Sequence, residues 1–247
     1  MQLIYGFHPV TNAIKSGRAK KIILAQGDKR MTSMNTSSLA VDYWQKPRFD
    51  AKFPSANHQF CAAECSSLVF QDLASIADQT PSNISNTSTK TNKKARPPIY
   101  LALDGITDPQ NMGACIRSAV AFSCSGLILA ANNSAELNAA CVKSSAGMIE
   151  HLPLIKVSNL ERSLHQLQDQ GFWLVAAAGQ GEQTINDIDC QRPLVLLMGS
   201  EGKGLGRLLI QRSDYVCRIN ISAAVDSLNV STACAVMLHH IRLQQTA

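Results

Sequence analysis

Short apolar runs recur through the second half of the chain, at residues 99–103, 126–131, 152–155, 172–178, 194–198 and 215–219. Each has the length of a strand, and within each nearly every position is apolar rather than every second one. That pattern predicts strands buried on both faces. Helical spacing of apolar residues appears between most of them, as at 134–142 and 159–170, and a final helix is expected over 228–243 with Ser227 as its N-cap. Strands alternating with helices predict an α/β fold with a mostly parallel sheet covered on both sides.

The first part of the chain is less regular. A short strand, a helix over 8–15 and a strand over 21–24 are predicted, and a further short element over 68–77. Residues 31–60 mix Met, Ser, Thr and Asn with Trp44, Pro47 and Pro54, without a clear period. Residues 80–98, TPSNISNTSTKTNKKARPP, have the composition of a flexible linker. The expected organisation is a small domain over 1–79, a linker over 80–98 and a larger domain over 99–247.

Composition narrows the class. The chain has 247 residues, 45% of them hydrophobic, which suits one large or two modest domains with a real core. No apolar run approaches the roughly 18–20 residues that cross a bilayer. The start, MQLIYGFHPV, lacks the apolar stretch and cleavage site of a secretory signal. A cytoplasmic location is expected. Of the eight cysteines, Cys61 and Cys65 are the nearest pair, and neither C-x-x-C nor a zinc spacing occurs. Buried reduced thiols and no metal site are expected.

Charge is uneven. Residues 1–97 hold 13 Lys and Arg against 6 Asp and Glu, whereas residues 98–247 hold 10 against 12. A basic front part suggests a module that binds a polyanion, although Lys90, Lys93, Lys94 and Arg96 of that total lie in the linker.

Candidate chemistry sits where predicted strands end. Residues 101–122, LALDGITDPQNMGACIRSAVAF, run from strand through loop to helix, with Asn111 and Arg117 at either end of the transition. Residues 195–205, VLLMGSEGKGL, are a strand and a glycine-rich loop holding Glu201. Residues 218–236, RINISAAVDSLNVSTACAV, are a strand end, a short loop and a long helix. Open α/β sheets bind ligands beyond the carboxyl ends of their strands, so one site built from three loops is expected. The glycine loop has neither the Walker nor the Rossmann spacing. It reads as an ordinary tight turn, or as a loop whose missing side chains let backbone amides approach a flat, polar ligand. Taken singly, Asn111 reads equally well as a turn residue or cap, Arg117 as a surface residue in the second turn of its helix, and Glu201 as a solvated carboxylate.

Together, DPQNMGACIRSA, MGSEGKGL and RINISAAVDSLNVSTA resemble the three motifs of the SpoU, or TrmH-type, RNA ribose 2′-O-methyltransferases of the SPOUT superfamily. The resemblance covers about residues 99–243, and IYGFHPVTNAI resembles the start of the L30e-like substrate-binding domain of many members. Within that family the chain resembles in particular the members that methylate a guanosine ribose in the peptidyl-transferase loop of 23S rRNA. Three positions depart from the family pattern: Asn220 where Pro is usual, Ala224 where Gly is frequent, and Phe60 in place of the Gly of a His-Gln-Gly.

The resemblance implies a C-terminal deep trefoil knot, a homodimer, RNA as substrate with 23S rRNA foremost, and S-adenosylmethionine as methyl donor. It implies cofactor contacts at Gly199, Ile219 and Leu228. It implies a catalytic set of Asn111, Arg117, Glu201 and Asn229, with Ser227 in support. In that set Arg117 is expected to hold the phosphate beside the target ribose and stabilise its developing alkoxide, because a guanidinium resists deprotonation. Glu201 is expected to hold Arg117 by a bidentate pair. Three alternatives stay open: another rRNA or tRNA nucleotide as target, a non-catalytic RNA-binding assembly protein of the same fold, and an ATP- or GTP-binding protein using the glycine loop.

Overall fold

The computed structural model describes residues 1–30, 39–77, 96–132 and 134–246. The expected linker falls outside the described residues except for 96–98, and so do residues 31–38 of the irregular stretch.

Two sheets form. The first has the order β1 (Gln2–Tyr5), β4 (Cys61–Cys65), β2 (Ala19–Ala25), β3 (Ala40–Trp44). Its first two pairings are antiparallel and the third is parallel. One face is covered by α1 (Phe7–Lys15) through Val10 and Ala13, the other by α2 (Lys46–Lys52) through Phe49. Phe49 packs with Ile23, Trp44 and Ala62, and its ring stacks on His58 at 5.5 Å. His58 Nδ1 accepts from the Phe60 amide and Nε2 faces the Asp50 carboxylate at 3.0 Å, which fixes the proton on Nε2. Gln59 and Phe60 both take left-handed φ near 54°. Glycine would adopt that backbone without strain at position 60; here ring packing against His58 and Phe49 offsets the cost.

The second sheet has seven strands in the order β7 (Leu154–Val157), β6 (Gly126–Ala130), β5 (Ile99–Asp104), β10 (Leu194–Gly199), β8 (Trp173–Ala177), β11 (Tyr215–Arg218), β9 (Gln183–Thr184). Every pairing in it is parallel, so the sheet is wholly rather than mostly parallel. Both faces are covered, which explains why β5 and β10 read as unbroken apolar runs. On one face α4 (Pro109–Ala121) and α8 (Val230–Gln244) pack through Met112, Ile116, Cys234 and Met237. On the other, α6 (Leu160–Asp169) packs through Leu164 and Leu167 against Phe172 and Leu174, and α7 (Arg207–Arg212) adds Leu209 to the same cluster.

Several boundaries differ from the sequence expectation. The helix expected over 134–142 is α5 (Ala139–Ser144), because Asn138 caps it by accepting from the amides of Ala140 and Cys141. The stretch 68–77 holds a single bridge, Gln71 to Ile155, and the one-turn α3 (Ala74–Ala77). The final helix is capped by Asn229, not Ser227: Asn229 Oδ1 accepts from the amides of Ser231 and Thr232. In α4 the cap is Asp108, which accepts from the amides of Gln110 and Asn111. Asn111 is therefore already helical, and Arg117 lies in the third turn rather than the second.

The two sheets share apolar ground. One continuous buried cluster runs from Ile4, Val10 and Ile22 to Leu101, Ile116 and Ile149. Polar links cross the same seam. Arg18 and Glu150 form an ion pair with side chains 8% and 3% exposed. Asn12 donates to the Ala146 carbonyl and accepts from His151, and Lys143 donates to Gln59 Oε1 at 2.9 Å.

Candidate active site

A parallel sheet places every strand's carboxyl end on one edge. Here that edge brings together the loops after β5, β8, β10 and β11. A cleft of ≈ 470 Å³ opens between the last three. Gly199, Ile219 and Leu228 line it, as do Glu201, Ser227 and Asn229.

The glycine loop is shaped by its own backbone. The Ser200 amide donates to the Gly204 carbonyl at 3.2 Å, and the Gly204 amide donates back at 2.9 Å. This closes a tight turn directly onto the end of β10. A Cβ on Gly199 would lie 2.1 Å from the Gly204 carbonyl carbon and 2.2 Å from the Leu205 nitrogen. The absent side chain at 199 thus lets the loop fold back on its strand, rather than admitting a ligand. The loop's far end is tied to the neighbouring strand, where Asp104 Oδ2 accepts from the Gly206 amide at 3.2 Å.

At the rim the three motifs meet through side chains. Asn229 Oδ1 is committed to the helix amides, so its Nδ2 points outward. That Nδ2 donates to Glu201 Oε1 at 2.6 Å and to Asn111 Oδ1 at 3.0 Å. Asn111 Nδ2 donates to the same Glu201 oxygen at 3.0 Å. One carboxylate oxygen therefore joins the start of α4 to the start of α8. Charged acceptors make the stronger hydrogen bonds, and here one fixes two loops far apart in the chain.

Glu201 does not hold Arg117. It is engaged by the two asparagines, and Arg117 has no hydrogen bond or ion pair among the described residues. Arg117 is exposed on α4, and it is not part of the cleft lining. The helix rise of about 1.5 Å per residue carries it some 9 Å along the axis from Asn111. Its guanidinium is free to meet a ligand arriving from outside. Ser227 sits on the cleft wall without the capping part expected of it.

The sequence reading missed one wall. Ala177 at the end of β8, and Ala178, Gly179 and Gln180 after it, line the cleft together with Arg218. Arg218 Nη1 donates to the carbonyls of Gly181 and Glu182, and its Nε donates to Asn220, so it ties two walls together. The signal for this wall was a strand ending in small residues and Gly179. Cys217 also lines the cleft, but burial pushes its thiol up to about 11, which rules it out as a thiolate nucleophile at neutral pH. Asn220 and Ala224 both lie in the exposed loop between β11 and α8, where they interrupt no core contact.

An adenosyl group with a cationic sulfonium matches this lining. Met198, Leu205, Ile219 and Leu228 supply apolar surface, and the carboxylates of Glu201 and Asp226 stand at the same cleft. Among the described residues no cluster of three or more His, Cys, Asp or Glu is placed to hold a metal ion, and no helix is long and apolar enough to cross a membrane.

Comparison with known proteins gives a consistent family. Residues 98–239 match the SpoU rRNA Methylase family, and residues 3–70 match the family described as RNA 2′-O ribose methyltransferase substrate binding. The chain is 33% identical over 258 residues to the 23S rRNA (guanosine-2′-O-)-methyltransferase RlmB of Pseudomonas syringae, an alignment covering 100% of this chain and 97% of the relative. It is 44% identical over 149 residues to RlmB of Pseudomonas aeruginosa, covering 60% of each. Among solved structures, the SpoU methyltransferase AviRb from Streptomyces viridochromogenes in complex with AdoMet superimposes with a TM-score of 0.78 at 21% identity, covering 99% of this chain and 90% of that one.

Proposed function

Because this chain belongs to the SpoU rRNA methylase family, we propose that it transfers a methyl group from S-adenosylmethionine to a ribose 2′-hydroxyl of 23S rRNA, at a guanosine of the peptidyl-transferase loop. The observation that carries this reading is the junction of Asn111, Glu201 and Asn229 at the mouth of the cleft. It joins all three motifs where a donor bound against Gly199, Ile219 and Leu228 would present its methyl group.

Bound there, the cofactor supplies an electrophilic methyl on a sulfonium sulfur. The difficulty that remains is the nucleophile, since a ribose hydroxyl is weak and must lie in line with the breaking bond. Alignment of that kind is worth up to roughly 7–11 kcal/mol. Glu201 holds the two asparagine amides rigid, and these orient the ribose at the rim. Arg117, left without a partner by that arrangement, binds the phosphate beside the target nucleotide and stabilises charge developing on the 2′-oxygen. Phosphate or water takes the proton. The reading gives no step to a metal.

Residues 1–79 grip the RNA, residues 80–98 join them to the catalytic part, and residues 99–247 carry out transfer. The excess of Lys and Arg in the first part supports phosphate contacts there. The family resemblance supports a trefoil-knotted C-terminal part and a homodimer, for which Val225 and Leu243, 49% and 55% exposed, are available apolar surface.

The test is labelled-methyl transfer to unmodified 23S rRNA, followed by mapping of 2′-O-methyl sites. One modified guanosine in the peptidyl-transferase loop is the expected product. Modification elsewhere on rRNA or on tRNA would move the target, and cofactor binding with no transfer to any RNA would favour the non-catalytic assembly protein.

A further inference from the structure

The front sheet carries a second concavity that the proposed chemistry does not use. It is a groove of ≈ 640 Å³ between α2 and the sheet, lined by Leu3, Ile23, Trp44, Arg48, Lys52 and Glu64. Its volume falls in the usual range of small-ligand sites, about 300–1,000 Å³. We propose that this groove binds one unpaired guanine nucleotide of the RNA strand, stacked on Arg48 and read by Glu64. The proposal rests on the RNA reading above and adds a subsite to it.

Three observations lead to guanine. The first is a prepared stacking surface. The Arg48 guanidinium carbon lies 4.1 Å from the Trp44 ring centroid. Trp44 is 8% exposed whereas Arg48 is exposed and lines the groove, so the indole backs the guanidinium on one side and leaves its other side open to the groove. Unpaired bases stack on such planes. The second is Glu64. It sits half-buried on the same face of the sheet, yet its side chain makes no hydrogen bond or ion pair among the described residues, with either Arg48 or Lys52. A carboxylate offers two acceptors side by side. Guanine alone presents two adjacent donors, N1–H and N2–H, on its Watson–Crick edge; adenine, cytosine and uracil each pair a donor with an acceptor there. The third is charge. Lys52 lines the groove and Lys46 lies over the Phe60 ring at 5.2 Å, so α2 offers cations to the flanking phosphates. Cations interleaved with aromatic rings are the usual equipment for a single strand.

The experiment uses the full chain and two labelled pentaribonucleotides, UUGUU and UUUUU, in anisotropy titrations at low salt. The wild type is expected to prefer the guanine strand by about tenfold. Glu64→Gln should erase that preference without weakening the binding of UUUUU, since it removes a negative charge beside the strand, a pattern that misfolding does not produce. Arg48→Ala should weaken both strands by about tenfold. A wild type without preference, or a Glu64→Gln variant that keeps it, overturns the proposal. Methyl transfer to 23S rRNA is measured in parallel. Transfer without a guanine preference overturns the groove alone; a preference that Glu64→Gln erases, with no transfer by the wild type, overturns the proposed function alone.

Discussion

The seam between the two sheets offers a sharp energetic test, because its central ion pair is almost completely withdrawn from water. Arg18 Nε donates to both oxygens of Glu150 at 2.8 Å, and Nη2 donates to Oε1 at 2.5 Å. Nη1 is taken up by Gln2 Oε1 at 3.0 Å and the Ser66 carbonyl at 2.9 Å, while Ser16 Oγ donates to the carboxylate from the other side. Arg18 belongs to the front part, and Glu150 to the short 3-10 turn Met148–His151 of the back part. Removing either partner strands the other charge in a site with side chains only 8% and 3% exposed. Breaking a buried pair in this way costs about 3–5 kcal/mol, a large share of a typical stability of about 5–15 kcal/mol. An exposed pair such as Arg192–Asp189, by contrast, is worth about 0.2–1 kcal/mol. Glu150→Ala and Arg18→Met should each lower the urea-unfolding free energy by about 3–5 kcal/mol. The double variant Arg18→Met/Glu150→Leu should recover most of that loss, since an apolar pair of similar volume strands no charge. Amide exchange at the seam should rise in the single variants, and KM for rRNA should rise with it while cofactor affinity stays fixed. A Glu150→Ala protein within 1 kcal/mol of wild type would refute the docked arrangement.

Other outcomes follow from the site. Glu201→Gln keeps the shape of the junction but removes the charge that both asparagine amides face, and charge-assisted hydrogen bonds are roughly twice as strong as neutral ones; kcat should fall about tenfold with calorimetric cofactor affinity unchanged. Arg117→Ala should abolish methyl transfer and spare cofactor binding, so equal loss of both would exclude its role with the RNA phosphate. Gly199→Ala forces a methyl to within 2.2 Å of the glycine-loop backbone, and cofactor affinity should drop at least tenfold in the same titration. Burial pushes the thiols of Cys61, Cys124, Cys141 and Cys190 up to about 12. They stay protonated when folded, while the unfolded thiols ionise near 9, so stability should decline as pH climbs from about 9 toward 12. A thiol reagent should find no fast-reacting cysteine in the native protein at pH 8.

Much of this was legible in the chain. Each apolar run from 99 onward became a parallel strand, and three loops assembled at one edge, because burial on both faces forces continuous apolar sequence and parallel strands end on one side. Those are local signals, set by what each residue must bury. The choice among polar partners is not local. Asn111 meets Glu201 across 90 residues and Asn229 across 118, and nothing in either motif says that the carboxylate takes amides instead of Arg117. The cap on the last helix passed from Ser227 to Asn229 for the same reason, since both are good caps by type and only the chain's path selects one. The β8 wall of the cleft, the Arg18–Glu150 seam and the groove at Arg48 likewise depend on side chains brought together from distant elements. Hydrophobic pattern alone determined the layers and the edge at which a site would form; the hydrogen-bond and ion-pair partners at that edge were decided by distances that exist only once the layers have packed.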